Sequence, residues 1–405
     1  MRAYERLLNY VKIHTASDES SSTVPSSRRQ FDLAEILAEE MKSIGIADAR
    51  VEENCYVYGT IPATKGYEDK TRIGFIAHLD TAPDFCGEHV NPQIHEDYDG
   101  GEIVLGNSGK ILSPGQFPHL RALKGRTLIT TDGTTLLGAD DKAGIAEIMT
   151  LAEELIHSTE PHGQVSIGFT PDEEVGSGAA EFDIPGFGAQ FAYTVDGGCE
   201  NEIVYENFNA CGAEFEINGF NIHPGESKNT MINAALLAME INSMLPSAET
   251  PAHTEQYEGF YHLTEMEGTV ERAKLQYIVR DHSGTHFEIR QETLRHIEKI
   301  MNEKYGNGTV KLTITQQYRN MAEVIAPCMH LIDNAKDSIR EAGLEPDTSP
   351  IRGGTDGARL SFAGLPCPNL GTGGYAFHGP YEHITAEGMD LAVKILRGIV
   401  RRYAQ

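Results

Sequence analysis

The period of the apolar positions changes along the chain, and the changes divide it. In residues 1–11, Leu7, Leu8 and Val11 share one face of an amphipathic helix. Phe31, Ala34, Leu37, Met41 and Ile44 recur at helical spacing. Ser26 and Ser27 can cap that helix at its start, and Gly45 stops it. Short β-like runs fill 49–61. Ile73-Gly74-Phe75-Ile76-Ala77 is a compact apolar strand, and two more follow at 164–169 and 191–195. Residues 84–135, rich in Gly, Pro, Asp and His, read as a long loop with short strands. Next comes a helix whose Ile145, Ile148, Met149, Ala152, Leu155 and Ile156 are spaced i, i+3, i+4, i+7. Strands alternating with helices predict an α/β domain: a mixed, largely parallel sheet flanked by helices.

The pattern changes near residue 208. Strands are predicted at 212–218, 259–266, 273–280 and 309–318, and helices at 229–245 and 285–305. The order β-α-β-β-α-β is that of a ferredoxin-like unit. It predicts a self-contained α+β domain inserted as a lid. After 320 the α/β pattern resumes, with a helix at 331–342, a Gly-rich strand-to-helix turn at 349–357, a short strand at 368–370 and a closing helix at 384–400. The expected division is 1–207 and 321–405 for the catalytic α/β domain and 208–320 for the lid.

Composition narrows the function classes. The 405 residues carry a formal charge of -27, which excludes nucleic acid as a partner, since that needs a basic surface, and favours cationic ligands and metals. The six cysteines, Cys55, Cys86, Cys199, Cys211, Cys328 and Cys367, form no C-x-x-C pair. They read as free thiols in a reducing compartment. No stretch has the length of a signal core or a membrane span, so a cytoplasmic protein with no membrane partner is expected.

The candidate chemistry lies at strand ends, where ligands gather in α/β folds. The 71–77 strand runs into His78-Leu79-Asp80, the 164–169 strand into Asp172-Glu173-Glu174, and the 191–195 strand into Asp196-Gly197-Gly198. Asp140 stands where a buried turn hands over to the long helix, and Asp141, next to it, can face the positive helix end. Singly, each has an ordinary explanation as a cap, a turn or a hydrogen-bonded loop residue. Together, His78, Asp140, Glu174 and Asp196 offer nitrogen and oxygen ligands suited to zinc. Asp80 can orient the His78 ring through its second nitrogen. Of the tandem acids Glu173 and Glu174, one can bind metal while the other stays free as a general base. Arg352-Gly353-Gly354 lacks the Gly-Lys-Ser/Thr of a phosphate-binding loop.

The set His78-x-Asp80, Gly138-Ala139-Asp140-Asp141, Glu173-Glu174-x-Gly176, Asp196-Gly197-Gly198 and His378 resembles the dinuclear zinc exopeptidases, which include aminoacylases and glutamate-releasing carboxypeptidases. Three further segments, 223–234, 351–357 and 373–379, carry the resemblance over nearly the whole chain. It implies two zinc ions per chain, with Co²⁺ or Mn²⁺ as substitutes. Asp140 would bridge them, His78 and Asp196 completing one site and Glu174 and His378 the other. Glu173 would be the general base for a water shared by the ions, and the Asp140-Asp141 peptide would be cis. His223, Arg280 and Arg352 would contact substrate, a short peptide with a free N-terminus; the resemblance implies an aminopeptidase acting on tripeptides. A dipeptidase or an N-acyl amino acid deacylase would present the same metal site, and a non-catalytic peptide-binding module is the reading from another class. His383, just before the last helix, is expected to cap it or meet solvent rather than bind metal.

Overall fold

Parallel strands need their connections on the sheet faces, so their residues read as unbroken apolar runs. That is the character of Ile73–His78 and Val165–Thr170, buried along their whole length. The computed structural model describes residues 1–405 and places these strands at the centre of a seven-stranded sheet. Its order is Arg50–Val51, Val57–Ile61, Val165–Thr170, Ile73–His78, Phe191–Gly197, Asn369–Gly371, Ile203–Val204. The four central strands pair in parallel, and the others pair antiparallel. The sheet is therefore mixed and largely parallel.

The chain divides into two compact units. The first comprises Met1–Tyr205, Glu323–Ser349 and Thr355–Gln405 and holds this sheet. The helix Ala139–His157 packs on strands Ile73–His78 and Phe191–Gly197. The approach is close: a Cβ on Gly144 would lie 1.9 Å from the carbonyl oxygen of Val195. A second, four-stranded antiparallel sheet, Gly374–Tyr375, His383–Thr385, Leu128–Thr130, Gln93–His95, belongs to the same unit.

The second unit comprises Glu206–Ala322 and Pro350–Gly354. Its strands order as Phe260–Gly268, Arg272–Asp281, Asn209–Asn218, Val310–Tyr318, all antiparallel, with helices Ala234–Ser243 and Gly284–Tyr305. Phe215, Leu275, Val279, Leu294 and Ile241 form its own buried core. No helix in the chain is long and apolar enough to cross a membrane.

Four local expectations differ from the structure. The helix Gln30–Ile44 has no side-chain cap, because Ser26 instead gives its backbone N–H and its hydroxyl to Asp172, at 2.6 and 2.5 Å. The 229–245 helix is shorter, Ala234–Ser243. It starts where the Asn233 side chain accepts the N–H of Leu236, while Ile232 pairs with Phe220 as an isolated bridge. No strand precedes the helix Asp356–Phe362, which the Thr355 hydroxyl caps. Finally, His383 is a buried strand residue, and Thr385 rather than His383 caps the closing helix Ala386–Tyr403.

Candidate metal centre

Four strand ends of the first unit deliver side chains to one place. His78 ends its strand fully buried. Asp196 lies one residue short of the end of Phe191–Gly197, its N–H held by the Asn369 side chain at 3.1 Å. Beyond Val165–Thr170 the chain turns at Asp172, φ 59°, and presents Glu173 and Glu174. Their two backbone N–H groups both donate to the buried Asp80 carboxylate, at 3.0 and 3.2 Å. His378 stands in the loop after Gly374–Tyr375 with a left-handed backbone, φ 62°.

Asp140 is the meeting point. Its Oδ1 lies 3.0 Å from His78 Nε2, and its Oδ2 lies 3.3 Å from His378 Nε2. His78 Nε2 is also 3.4 Å from Asp196 Oδ1, and His378 Nε2 is 3.1 Å from Glu174 Oε2. One carboxylate thus separates two donor groups, His78 with Asp196 and His378 with Glu174. The second ring nitrogens face acids too: His78 Nδ1 meets the Asp80 carbonyl at 3.0 Å and its carboxylate at 3.3 Å, and His378 Nδ1 meets Asp84 at 3.5 Å. The Asp140-Asp141 peptide is cis.

Asp141 could also reach an ion with His78 and Asp196. Its oxygens are already committed: Oδ2 accepts the His78 N–H at 3.1 Å and Oδ1 the Gly144 N–H at 3.2 Å. That makes it a cap of the regular helix, which begins after the non-helical Asp140 and Asp141. Asp140, by contrast, faces one imidazole with each oxygen.

The electrostatics demand positive charge. Burial and the carboxylates around it push Asp196 up to about 7, with the His78 imidazole opposing. Burial would lower His78, but Asp196, Asp140 and Asp80 raise it well above an ordinary histidine. Hydrogen bonds to Asp140 and Glu174 lift His378 to about 11. Without a cation, the two imidazoles supply the charge these acids need. Glu174 Oε1 is buried without any hydrogen-bond partner, a costly state that a cation would relieve. The donor set, imidazole nitrogen and carboxylate oxygen, fits zinc-type divalent ions. Burial, then Asp196 and Asp356, raises the Glu173 carboxyl well above the usual range.

Sequence reasoning missed two acids here, Asp356 and Glu382. Asp356, buried and itself pushed up to about 6 by burial, accepts from the Thr170 hydroxyl at 3.1 Å. Asp141 and Glu382 bind backbone N–H groups of the site. The place of Asp141 beside the turn predicts a carboxylate at the helix start, and its Oδ1 accepts the Gly144 N–H there. The three substrate candidates belong to the second unit. His223 is exposed, and its Nδ1 accepts the Gly225 N–H. Arg280 donates to the carbonyls of Cys211 and Val279 and lies over the Tyr318 ring. Arg352 donates to the carbonyls of Gln256 and Glu258 and to the Thr254 hydroxyl.

The chain is similar to known proteins over its whole length. Residues 132–402 match the family model described as peptidase family M20/M25/M40. A Peptidase T of Clostridium perfringens (strain 13 / Type A) is 53% identical over 405 residues, covering 100% of this chain and 99% of that protein. A Peptidase T of Geobacillus kaustophilus is 51% identical over 403 residues, covering 99% and 98%. Among solved structures, the aminopeptidase PepT of Bacillus cereus superposes with a TM-score of 0.80 at 20% identity, over 100% of this chain and 98% of that one. The YXEP protein of Bacillus subtilis, titled a dinuclear metal binding peptidase, superposes with a TM-score of 0.66 at 16% identity, over 99% and 98%.

Proposed function

The chain belongs to peptidase family M20/M25/M40, and on that footing we propose that it is a two-metal aminopeptidase releasing the first residue of tripeptides. The observation that carries this reading is Asp140, whose two oxygens face two different histidines at 3.0 and 3.3 Å. Asp140 would be shared by two divalent cations, zinc by donor type, with His78 and Asp196 holding one and Glu174 and His378 the other. Such a pair, when bound, polarises the scissile carbonyl and lowers the pKa of a water toward about 7.

The chain's own residues do the rest. Glu173, held above the usual carboxylate range, takes the attacking water's proton and returns it to the leaving amine. Asp80 fixes the backbone of both Glu173 and Glu174, so the base and the ligand keep their separation. Asp80 also orients His78 through Nδ1. His223, Arg280 and Arg352 bind the substrate's backbone or C-terminal carboxylate; a guanidinium gives a carboxylate two parallel hydrogen bonds.

The tripeptide preference follows the family resemblance, and a Staphylococcus aureus structure titled a tripeptidase superposes with a TM-score of 0.76 at 21% identity. The acid-rich centre adds a physical reason for a free N-terminus, since it attracts an ammonium group. Hydrolysis of Xaa-Gly-Gly, its N-acetylated form and longer Xaa-Gly peptides at equal concentration tests the reading. The free tripeptide should be cut fastest, after its first residue. Equal or faster cleavage of the acetylated peptide would make the protein a deacylase of the same architecture.

A further inference from the structure

Glu382 takes no part in the ligand set or the proton transfer, yet it is 1% exposed and bound at every turn. Its Oε2 accepts the backbone N–H groups of Leu137 and Gly138, at 2.7 and 2.8 Å. Its Oε1 accepts the N–H of Asp140 at 3.0 Å. These donors belong to a turn that no helix satisfies. Gly138 has φ 78°, and Asp140 and Asp141 are outside the helical region at φ/ψ of -83/106 and -116/34. Buried N–H groups need acceptors, and an ionised carboxylate offers about four lone-pair sites. Glu382 follows His378 by four residues and directly precedes the strand His383–Thr385, which pairs with Leu128–Thr130. One side chain thus ties the Asp140 turn to the segment carrying His378 and roots both in the second sheet.

We propose that Glu382 is a positioning residue that holds the Asp140 carboxylate where both ions need it, so that uptake of both depends on this one side chain. The proposal rests on the reading of Asp140 as a bridge. It separates Glu382 from Asp84, an exposed acid that meets His378 Nδ1 at 3.5 Å. Glutamine at 382 would present an amide N–H₂ to a turn made of donors. Glu382→Gln therefore weakens both ions together, and Asp84→Asn affects no more than the one that His378 shares.

Titration calorimetry of the metal-free proteins with zinc, beside melts of the same samples, tests this. Loss of a partner behind a ligand typically costs about 10–100-fold in metal affinity, so Glu382→Gln should lose that much at both ions. A merely structural Glu382 would lower the melting temperature of the metal-free protein and leave both zinc constants at their wild-type values, which would overturn the proposal. Loss at one ion alone would overturn it equally. If Glu382→Gln does not fold, Glu382→Asp, which keeps the charge and withdraws it by one methylene, is read against the same outcomes. Wild-type protein that binds a single ion would overturn the bridging reading itself, and the role of Glu382 with it.

Discussion

Glu173 and Glu174 are adjacent and chemically alike, and their surroundings assign them different work. Glu174 puts one oxygen 3.1 Å from His378 and leaves the other buried without a partner. Glu173 has no imidazole contact of that kind and lies close enough to Asp196 and Asp356 to be raised by them. Glu173→Gln should accordingly lower kcat by about 10²–10⁴-fold, the usual contribution of a general base, while zinc content measured by elemental analysis stays that of the wild type. Near wild-type turnover would move the base elsewhere. His78, Glu173, Glu174 and Asp196 were visible in sequence because each follows an apolar strand, and in a parallel sheet strand ends converge. His378 came through family resemblance, its strand being two residues long. Glu382 and Asp356 gave no such sign. Their partners are the backbone of residues 137–140 and the hydroxyl of Thr170, 186 positions or more away, and no period or local motif encodes a contact of that kind.

At the level of elements, the small antiparallel sheet behaves as a foundation for the His378 loop. His383 lies in its middle, fully buried, with Nδ1 on the Tyr381 carbonyl at 2.7 Å and Nε2 on His119 Nε2 at 2.9 Å. The rings of Tyr375, His119 and Phe117 surround it. Burial lowers its pKa to about 4, with the nearby His119 adding to the effect. An unfolded chain protonates the same imidazole near 6.5. Between those values the unfolded state binds more protons, so stability falls as pH drops from about 6.5 to about 4 and levels off below. The loss attributable to His383 is about 3 kcal/mol. His383→Gln should flatten that part of the acid slope, read from urea melts at pH 4.5 to 7, and should still bind both ions. An unchanged slope would show that the imidazole is not held neutral. Helix and strand periods were legible for most of the long elements. The Gly-rich segment 349–357 was legible only in part: its helix begins at Asp356 behind the Thr355 cap, but no strand precedes it.

For the molecule as a whole, charge and topology matter more than any single contact. A surplus of 27 negative charges produces a field that draws cations toward the protein and that salt screens over about 10 Å at 0.1 M. Tripeptides with lysine in the first position should therefore have a higher kcat/KM than those with glutamate at low ionic strength. The gap should shrink steadily as salt is added, and a ratio independent of salt would place the preference in short-range contacts alone. The order of the central sheet has a different kind of consequence. Asn369–Gly371 lies between Phe191–Gly197 and Ile203–Val204, so a strand made much later in the chain fills a gap between two made earlier. At translation rates of about 5–20 residues per second, the nascent chain waits on the order of ten to thirty seconds with the edge of Phe191–Gly197, and the Asp196 it carries, open. Roughly 170 further residues must leave the ribosome before the sheet can close, so until then the Asp196 edge stands as an unpaired β template.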